Sequence, residues 1–426
     1  MDEKSSVCGF EGTKREEAVF VHGIVNDGSF FYVFLSSKKP FCLTEGLFCA
    51  MMHVERNGSL YKNMEKGGCT VAATIRDITK MTGLSLATVS KYLNGGNVLP
   101  ANKAAIEHAI EVLHYEVNEV ARGLATNRTK TVGVLIQKLD NVFASTIIAK
   151  IEDILRAGDY GTIVCDCRGD EKLEEEAVRF LLGKRVDGII TIPTSRTSTY
   201  LSAAVRRGIP VVLIDRTFSD GDFDSVQVDN EEASYEAVKL LIEKGHKKIA
   251  VICGDDQYYT AAGRLKGYFR AMEEADLPVY AKYIRKGDLE IQHGYDSVRA
   301  LLELEDPPTA VFLSNYEITM GAVIALNEAG VEFPEKLSII GFDNLLLSQV
   351  IRPKLWMVVQ PMEEIAKTAA ELMLDRLKNE KNGKQQEKKQ EEKESEEGEA
   401  KECGPRNVLL KTSIYPGESI RTLKRV

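Results

Sequence analysis

From Thr131 onward the chain alternates short, uninterrupted apolar runs with amphipathic stretches of helical period. The first runs are TVGVLIQ (131–137), GTIVCDC (161–167), DGIITIP (187–193), PVVLIDR (210–216) and SVQVDN (225–230). Then come KIAVICG (248–254), a run near Tyr283, TAVFLS (309–314), SIIGFD (338–343) and WMVVQ (356–360). Runs that are rich in β-branched residues and apolar at consecutive positions suit strands buried on both faces, as in parallel sheets. Helical segments such as Glu174–Lys184 and Tyr235–Lys244 lie between them. Repeated strand–helix order predicts a doubly wound α/β fold. The strands are too many for one comfortable sheet. The spacing therefore predicts two lobes divided near residue 230, the chain returning to the first lobe near residue 360. Ligands of such folds lie in the cleft outside the carboxyl ends of the strands.

A different pattern occupies residues 74–130, which read as three short helices, a fourth helical segment and a basic joint. Thr74 is a good N-cap, with Asp77 three residues on. Gly83 splits the first two helices and Ser85 restarts the second. Ile75, Ile78, Met81 and Leu84 are spaced to face inward, as are Val89 and Leu93 on the second helix. Ile106, Ile110 and Leu113 complete a third helix that Pro100 starts. Leu86, Ala87, Ser90 and Lys91 are left facing outward. This is the spacing of a helix-turn-helix, whose second helix can enter a DNA major groove. A plain three-helix packing module fits the same apolar pattern.

Two segments follow neither pattern. Residues 380–402 hold nine Glu and six Lys with Ala400 as the sole apolar residue, a composition that cannot build a core. They read as a solvated, disordered insertion, or a single exposed helix, after a helix over 361–378. Residues 1–70 show no sustained periodicity and hold four of the eight cysteines. Codons for Lys66-Gly67-Gly68 can spell a purine-rich ribosome-binding sequence, with Val71 as a GUG start. Residues 1–70 are then translated leader; the competing reading is a genuine, poorly ordered extension.

The chain has 426 residues, 44% apolar, with a net charge of −9. That length gives room for two or three domains with full cores, and that charge excludes a protein basic throughout. Residues 74–130 nevertheless carry seven Lys/Arg against five Asp/Glu, compatible with DNA binding through one face. No C-x-x-C pair and no Cys/His cluster of zinc spacing occurs, so no metal or cofactor is expected and the thiols read as reduced. The apolar stretch from Phe30 to Leu35 is too short for a membrane span and lacks a signal-peptide layout. A cytoplasmic address follows. No G-x-G-x-x-G after a strand, Walker loop, G-x-S-x-G or H-E-x-x-H occurs, which argues against an enzyme.

Many ordered motifs make the chain similar to one family. They are T-I-R-D-I (74–78), G-L-S-x-A-T-V-S-K-Y-L-N (83–94), A-R-x-L (121–124) and R-T-K-T-V-G-V (128–134). In the body they include K-R-V-D-G-I-I (184–190), G-I-P-V-V-L-I-D-R (208–216), G-H-K-K-I-A (245–250), A-G-R-L-K-G-Y (262–268), I-I-G-F-D-N (339–344) and V-V-Q-P (358–361). Over about residues 71–380 and the final strand, the chain resembles the LacI/GalR family of bacterial transcription regulators. The resemblance implies a DNA-binding headpiece over 71–127 with a hinge helix at 118–125. It also implies an effector-binding and dimerisation domain of the type I periplasmic-binding-protein fold over 131–426.

The resemblance also assigns sites. Leu86, Ala87 and Lys91 would lie nearest base edges, the first two making apolar contacts such as with a thymine methyl. Lys91 stands where the family commonly has Arg and lacks its bidentate fork. Thr74, Thr88, Ser90 and Asn94 suit phosphate contacts, with Ser85 at the helix start. In the hinge, Asn118, Ala121, Leu124 and Ala125 would enter the minor groove across a dimer, Leu124 wedging between central base pairs. Val117 stands where the family often has Pro. In the cleft, Phe143 matches an aromatic wall position and Arg264 an Arg that hydrogen-bonds ligand. Tyr316 replaces the usual sugar-binding Asp, and Leu289 a frequent aromatic. Asp166 and Asp343 are further cleft candidates.

The expected protein is a homodimeric repressor binding a near-palindromic double-stranded operator, under control of a sugar-like effector. The run from Ile339 to Pro361 also resembles the catabolite-control branch, whose members respond to a phosphorylated carrier protein. A cytoplasmic solute-binding protein is the remaining alternative.

Overall fold

The computed structural model describes residues 12–15, 18–24, 30–36, 73–116, 122–123, 128–256, 258–343, 345–390 and 404–423. They divide into two units, residues 1–72 and 73–426. In the first, β1 (Gly12–Arg15), β2 (Ala18–Ile24) and β3 (Phe30–Ser36) form an antiparallel meander. The early apolar stretch from Phe30 to Leu35 lies in β3.

The second unit opens with α1 (Ile75–Thr82), α2 (Leu86–Leu93) and α3 (Pro100–Leu113). Gly83 closes α1 at φ 68°, a left-handed conformation that favours glycine. Ser85 caps α2, its Oγ accepting from the Thr88 amide at 3.2 Å. Ile78, Val89, Ile106 and Ala109 form the buried centre, flanked by Ile75, Leu84, Leu93, Ile110 and Leu113. Met81 does not join them and stays 44% exposed. At 3.6 residues per turn it projects roughly a quarter turn away from the direction shared by Ile75, Ile78 and Thr82.

The body's first lobe is built from β4 (Thr131–Ile136), α4 (Val142–Ala157), β5 (Gly161–Asp166), α5 (Glu171–Gly183), β6 (Gly188–Thr191), α6 (Ser202–Val205), β7 (Val211–Ile214) and β8 (Asp224–Val228). The chain then crosses to the second lobe. There lie α7 (Asn230–Glu243), β9 (Ile249–Gly254), α8 (Tyr259–Glu274), β10 (Ile284–Gly287), α9 (Ile291–Leu302), β11 (Ala310–Leu313), α10 (Tyr316–Glu328), β12 (Ser338–Asp343), α11 (Leu345–Val350) and β13 (Trp356–Val359). It recrosses into α12 (Met362–Gln390), which packs on the first lobe's core beside α4. β14 (Asn407–Leu410) and β15 (Ser413–Tyr415) finish one lobe each.

The first sheet has the order β14-β8-β7-β6-β4-β5 and the second β10-β9-β11-β12-β13-β15. Every pairing in both is parallel except β13 with β15. Strands such as β4, β6, β7, β9, β11 and β12 are buried along nearly their whole length, the reason their apolar runs are continuous. Helix α12 runs past the expected end at 378 to Gln390, because Glu and Lys propagate a helix even where they cannot build a core. Residues 391–403 lie outside the described residues. Cys165, Cys167 and Cys253 are free thiols, and burial pushes Cys167 and Cys253 up to about 12.

One buried carboxylate ties the chain's return into the first lobe. Asp224, at the start of β8, is 3% exposed. It accepts from Arg376 Nε and Nη2 of α12, both at 2.7 Å, and from the Arg406 amide at 2.8 Å. Burial alone would raise its pKa, but the hydrogen bonds from Arg376 and Arg406 outweigh it and hold the carboxyl below its ordinary value. Asp224→Ala removes the carboxylate that Arg376 and Arg406 share at a partly buried site and is expected to cost about 3 kcal/mol. The urea midpoint reads this, and a midpoint within error of the parent would refute the clamp.

Candidate nucleic-acid interface and interlobe cleft

Helix α2 buries Val89 and presents its opposite face to solvent. Leu86, in the first turn, is 51% exposed, and Ala87, Lys91 and Asn94 on the face away from Val89 are exposed too. Thr74 is tied to Asp77, its amide and hydroxyl both donating to Oδ2. The Thr88 hydroxyl lies 2.9 Å from Ser85 Oγ, and Asn94 Nδ2 donates to Ser90 Oγ at 3.3 Å. These polar groups thus order the helix ends while flanking the exposed face. Tyr92 donates to Glu107 at 2.8 Å, fixing α2 against α3.

The hinge candidates Asn118, Ala121, Leu124 and Ala125 lie outside the described residues. The joint that follows is firmly held. The Thr129 and Lys130 amides donate to the Asp187 carboxylate at 3.1 and 2.8 Å, and Arg128 Nη1 donates to the Leu377 carbonyl at 3.0 Å. Strand β4 then runs from this joint to Gln137 in the cleft, a span of about 20 Å.

Parallel pairing delivers the carboxyl ends of both sheets to a cleft of about 550 Å3 between the lobes. Phe143, Arg264, Leu289 and Asp343 line it. Phe143 also packs on the first lobe's core. Arg264, 4% exposed, is gripped on all sides. Its Nε donates to Asn230 at 2.8 Å, its Nη1 to the Ser314 carbonyl at 2.5 Å, and its Nη2 lies 3.6 Å from Asp343. The guanidinium also stacks 3.8 Å from the Phe342 ring centroid.

Two expected cleft residues sit elsewhere. Tyr316 is absent from the lining: as the first residue of α10 it directs its ring against the second lobe's core, and only its amide faces the site, donating to Asp343 at 2.9 Å. Asp166 lines a shallow recess at the mouth beside Lys138, Leu139, Asp140 and Arg168. Its carboxylate accepts from the Arg168 amide at 2.9 Å, closing the turn after β5.

Several lining residues escaped sequence reasoning, among them Asn141, Asp215, Glu290, Asn315, Glu317 and Gln360. Asp215 and Gln360 follow a strand end directly and the others lie within a few residues of one, and that position was the available signal. Two pairs bridge the lobes: Lys138 with Glu290, and Asn141 Nδ2 donating to Glu317 Oε1 at 2.8 Å. The other Glu317 oxygen accepts from Asn315 at 2.9 Å. Burial first, then the Asp343 and Glu290 charges, push the Glu317 carboxyl up to about 7. Burial likewise raises Asp215 to about 6 against the opposing pull of Arg264.

A raised carboxyl binds its proton more tightly in the folded, bridged protein than in the unfolded chain. The bridged state therefore gains stability as pH falls from about 7 toward about 4.5, and loses it again as pH rises. Glu317→Gln is expected to raise the melting temperature above neutral pH, by a stability difference on the order of 1–2 kcal/mol. The gap should narrow as the pH approaches 5; a gap independent of pH would contradict a Glu317 origin.

Comparison with known proteins follows the same division. The family model for periplasmic binding proteins and the sugar binding domain of the LacI family matches residues 129–396. Catabolite control protein A of Priestia megaterium is 38% identical over 309 residues, 72% of this chain and 93% of that protein. The HTH-type transcriptional repressor PurR of Yersinia pestis (strain Pestoides F) is 34% identical over 316 residues, 74% of this chain and 93% of that protein. A LacI family transcriptional regulator from Enterococcus faecium with bound ribose matches with a TM-score of 0.59 at 28% identity, over 69% of this chain and 100% of that one. The lac repressor dimer bound to operator and the anti-inducer ONPF shares the fold, with a TM-score of 0.69 at 23% identity over 82% of this chain and 99% of that one. On the matched body and on relatives spanning head and body alike, the chain belongs to the LacI family of transcriptional regulators.

Proposed function

We propose that this LacI-family repressor binds a near-palindromic operator as a homodimer in the cytoplasm and is controlled by a small molecule, a carbohydrate or derivative, held in the interlobe cleft. The observation that carries the reading is the exposure of Leu86, Ala87 and Lys91 on a short helix that packs Val89 into the core of a three-helix unit. A two-fold dimer matches a two-fold site, the two α2 helices lying in successive major grooves. Leu124 wedges the minor groove at the centre, with Asn118, Ala121 and Ala125 around it. Thr74, Ser85, Thr88, Ser90 and Asn94 position the backbone.

Control runs through β4, which links the joint at Lys130 to the cleft at Gln137. An effector that favours one lobe spacing shifts the population of dimers able to bind DNA. Phe143, Leu289, Arg264 and Asp343 form its pocket, while Tyr316 serves through its backbone and Asp166 through the mouth. A second reading, favoured by the identity with catabolite control protein A, is a regulator answering to a phosphorylated carrier protein.

Genome-wide mapping of bound sites supplies the operator for both tests. Leu124→Ala should weaken operator affinity about tenfold or more, since an intercalating wedge is worth a few kcal/mol. Gel-shift titration reads it, and unchanged affinity would remove the wedge. Arg264→Ala should abolish the effector response while the operator is still bound; a retained response in a reporter strain would take Arg264 out of the pocket.

A further inference from the structure

The cleft has a surplus of acceptors, and this sharpens the effector-cleft reading on which the inference rests. Asp343 is the common neighbour of the inner wall. Gln360 donates to its Oδ1 at 2.6 Å, and its field reaches both Asp215 and Glu317. Three carboxylates therefore meet in the inner cleft, where the buried cations beside them are already engaged, Arg264 with Asn230, Ser314 and Asp343, and Arg216 with the Thr194 and Ser195 carbonyls.

The unfilled hydrogen-bonding capacity has one sign. Asp215 takes no hydrogen bond from any described residue, and φ of 74° at the end of β7 sets it in a strained, left-handed conformation. Gln360 is 3% exposed; its Nε2 is spent on Asp343, leaving Oε1 buried without a partner. Both line the cleft, and both accept. Burial raises Asp215 and Glu317, the Asp343 charge adds to it, and at Asp215 the pull of Arg264 and Arg216 offsets it only in part.

The remaining cations at the cleft do not offset this. Lys138 is paired with Glu290. Arg168 and Arg196 are exposed on the first lobe's side of the mouth, where water and salt screen them. Fields inside the cleft are screened far less, so buried Asp343 and half-buried Asp215 and Glu317 decide which charge a ligand can bring in.

We infer that the cleft selects a small molecule bearing a protonated amine, seated against Asp215, Glu317 and the Gln360 side-chain carbonyl, over its neutral and anionic analogues. The amine supplies the donors this wall lacks and neutralises part of its charge. An anion of the same size adds like charge beside three carboxylates.

Two matched triplets test it by calorimetric titration of the full chain near neutral pH: 1-amino-1-deoxysorbitol, sorbitol and gluconate; putrescine, butanediol and succinate. In at least one triplet the amine should bind tightest, by about tenfold or more over the anion, the factor set by one unit of differential pKa. Asp215→Asn and Glu317→Gln, made singly, should each shrink that preference. No amine binding, a neutral or anionic member binding tightest, or a preference surviving both substitutions would overturn the inference. An anion that binds tightest and alters operator affinity leaves the effector-cleft reading standing and removes only the charge preference. Amine binding that is lost in both variants but never changes operator affinity supports the charge preference and removes the effector role.

Discussion

Parallel strand pairing is the constraint on which the rest depends. Because strands β4 to β8 run the same way, their carboxyl ends leave the sheet along one edge, and the second lobe repeats the arrangement. Residues that follow those ends meet in one cleft although they are scattered through the chain. Gln137, Thr194, Asp215, Leu289, Asn315 and Gln360 are neighbours for this reason and no other. Antiparallel meanders would have sent alternate ends to opposite edges. The pairing also requires both sheet faces to be covered, which places helices on each side and makes the strands apolar at every position.

That last consequence is why the architecture was legible. Continuous apolar runs, caps at Thr74 and Ser85, and Gly83 between two helices are local signals, and each marked an element that the structure contains. Met81 shows the limit: an eight-residue helix has one narrow inward face, and hydrophobicity alone does not say which side of it a residue occupies. The cleft was legible at Phe143, Arg264, Leu289 and Asp343 through motifs, not through chemistry. It was illegible at Glu317 and Asn141 because the bond that joins them spans 176 positions and leaves no periodic trace. Tyr316 misled because residues at the start of a helix can turn either toward the cleft or toward the sheet.

Stability and sensing draw on the same groups. Asp215 and Asp343 both adopt positive φ, at 74° and 87°, as each closes a strand and turns toward the cleft. Aspartate tolerates this conformation better than most residues but not freely. Together with Glu317 these carboxylates make the cleft wall less stable than an apolar one would be. The clamp at Asp224 and the anchor at Asp187 place well-paired carboxylates away from the cleft, on the return of α12 and at the joint. Rigidity is thus concentrated where the lobe must hold the reader, and strain where the lobes meet.

The return of the chain has a further consequence, for the order in which the molecule is built. β14 completes the edge of the first sheet beside β8, and β15 the edge of the second beside β13. A chain made from its amino end therefore starts the first lobe early and closes it only at β14, just before β15 closes the second. The three-helix head, whose core contacts are local and run only to Tyr115, finishes while most of the body is still being synthesised. On the ribosome the reader exists before the sensor, and its obedience to any signal begins only when the final strands are released.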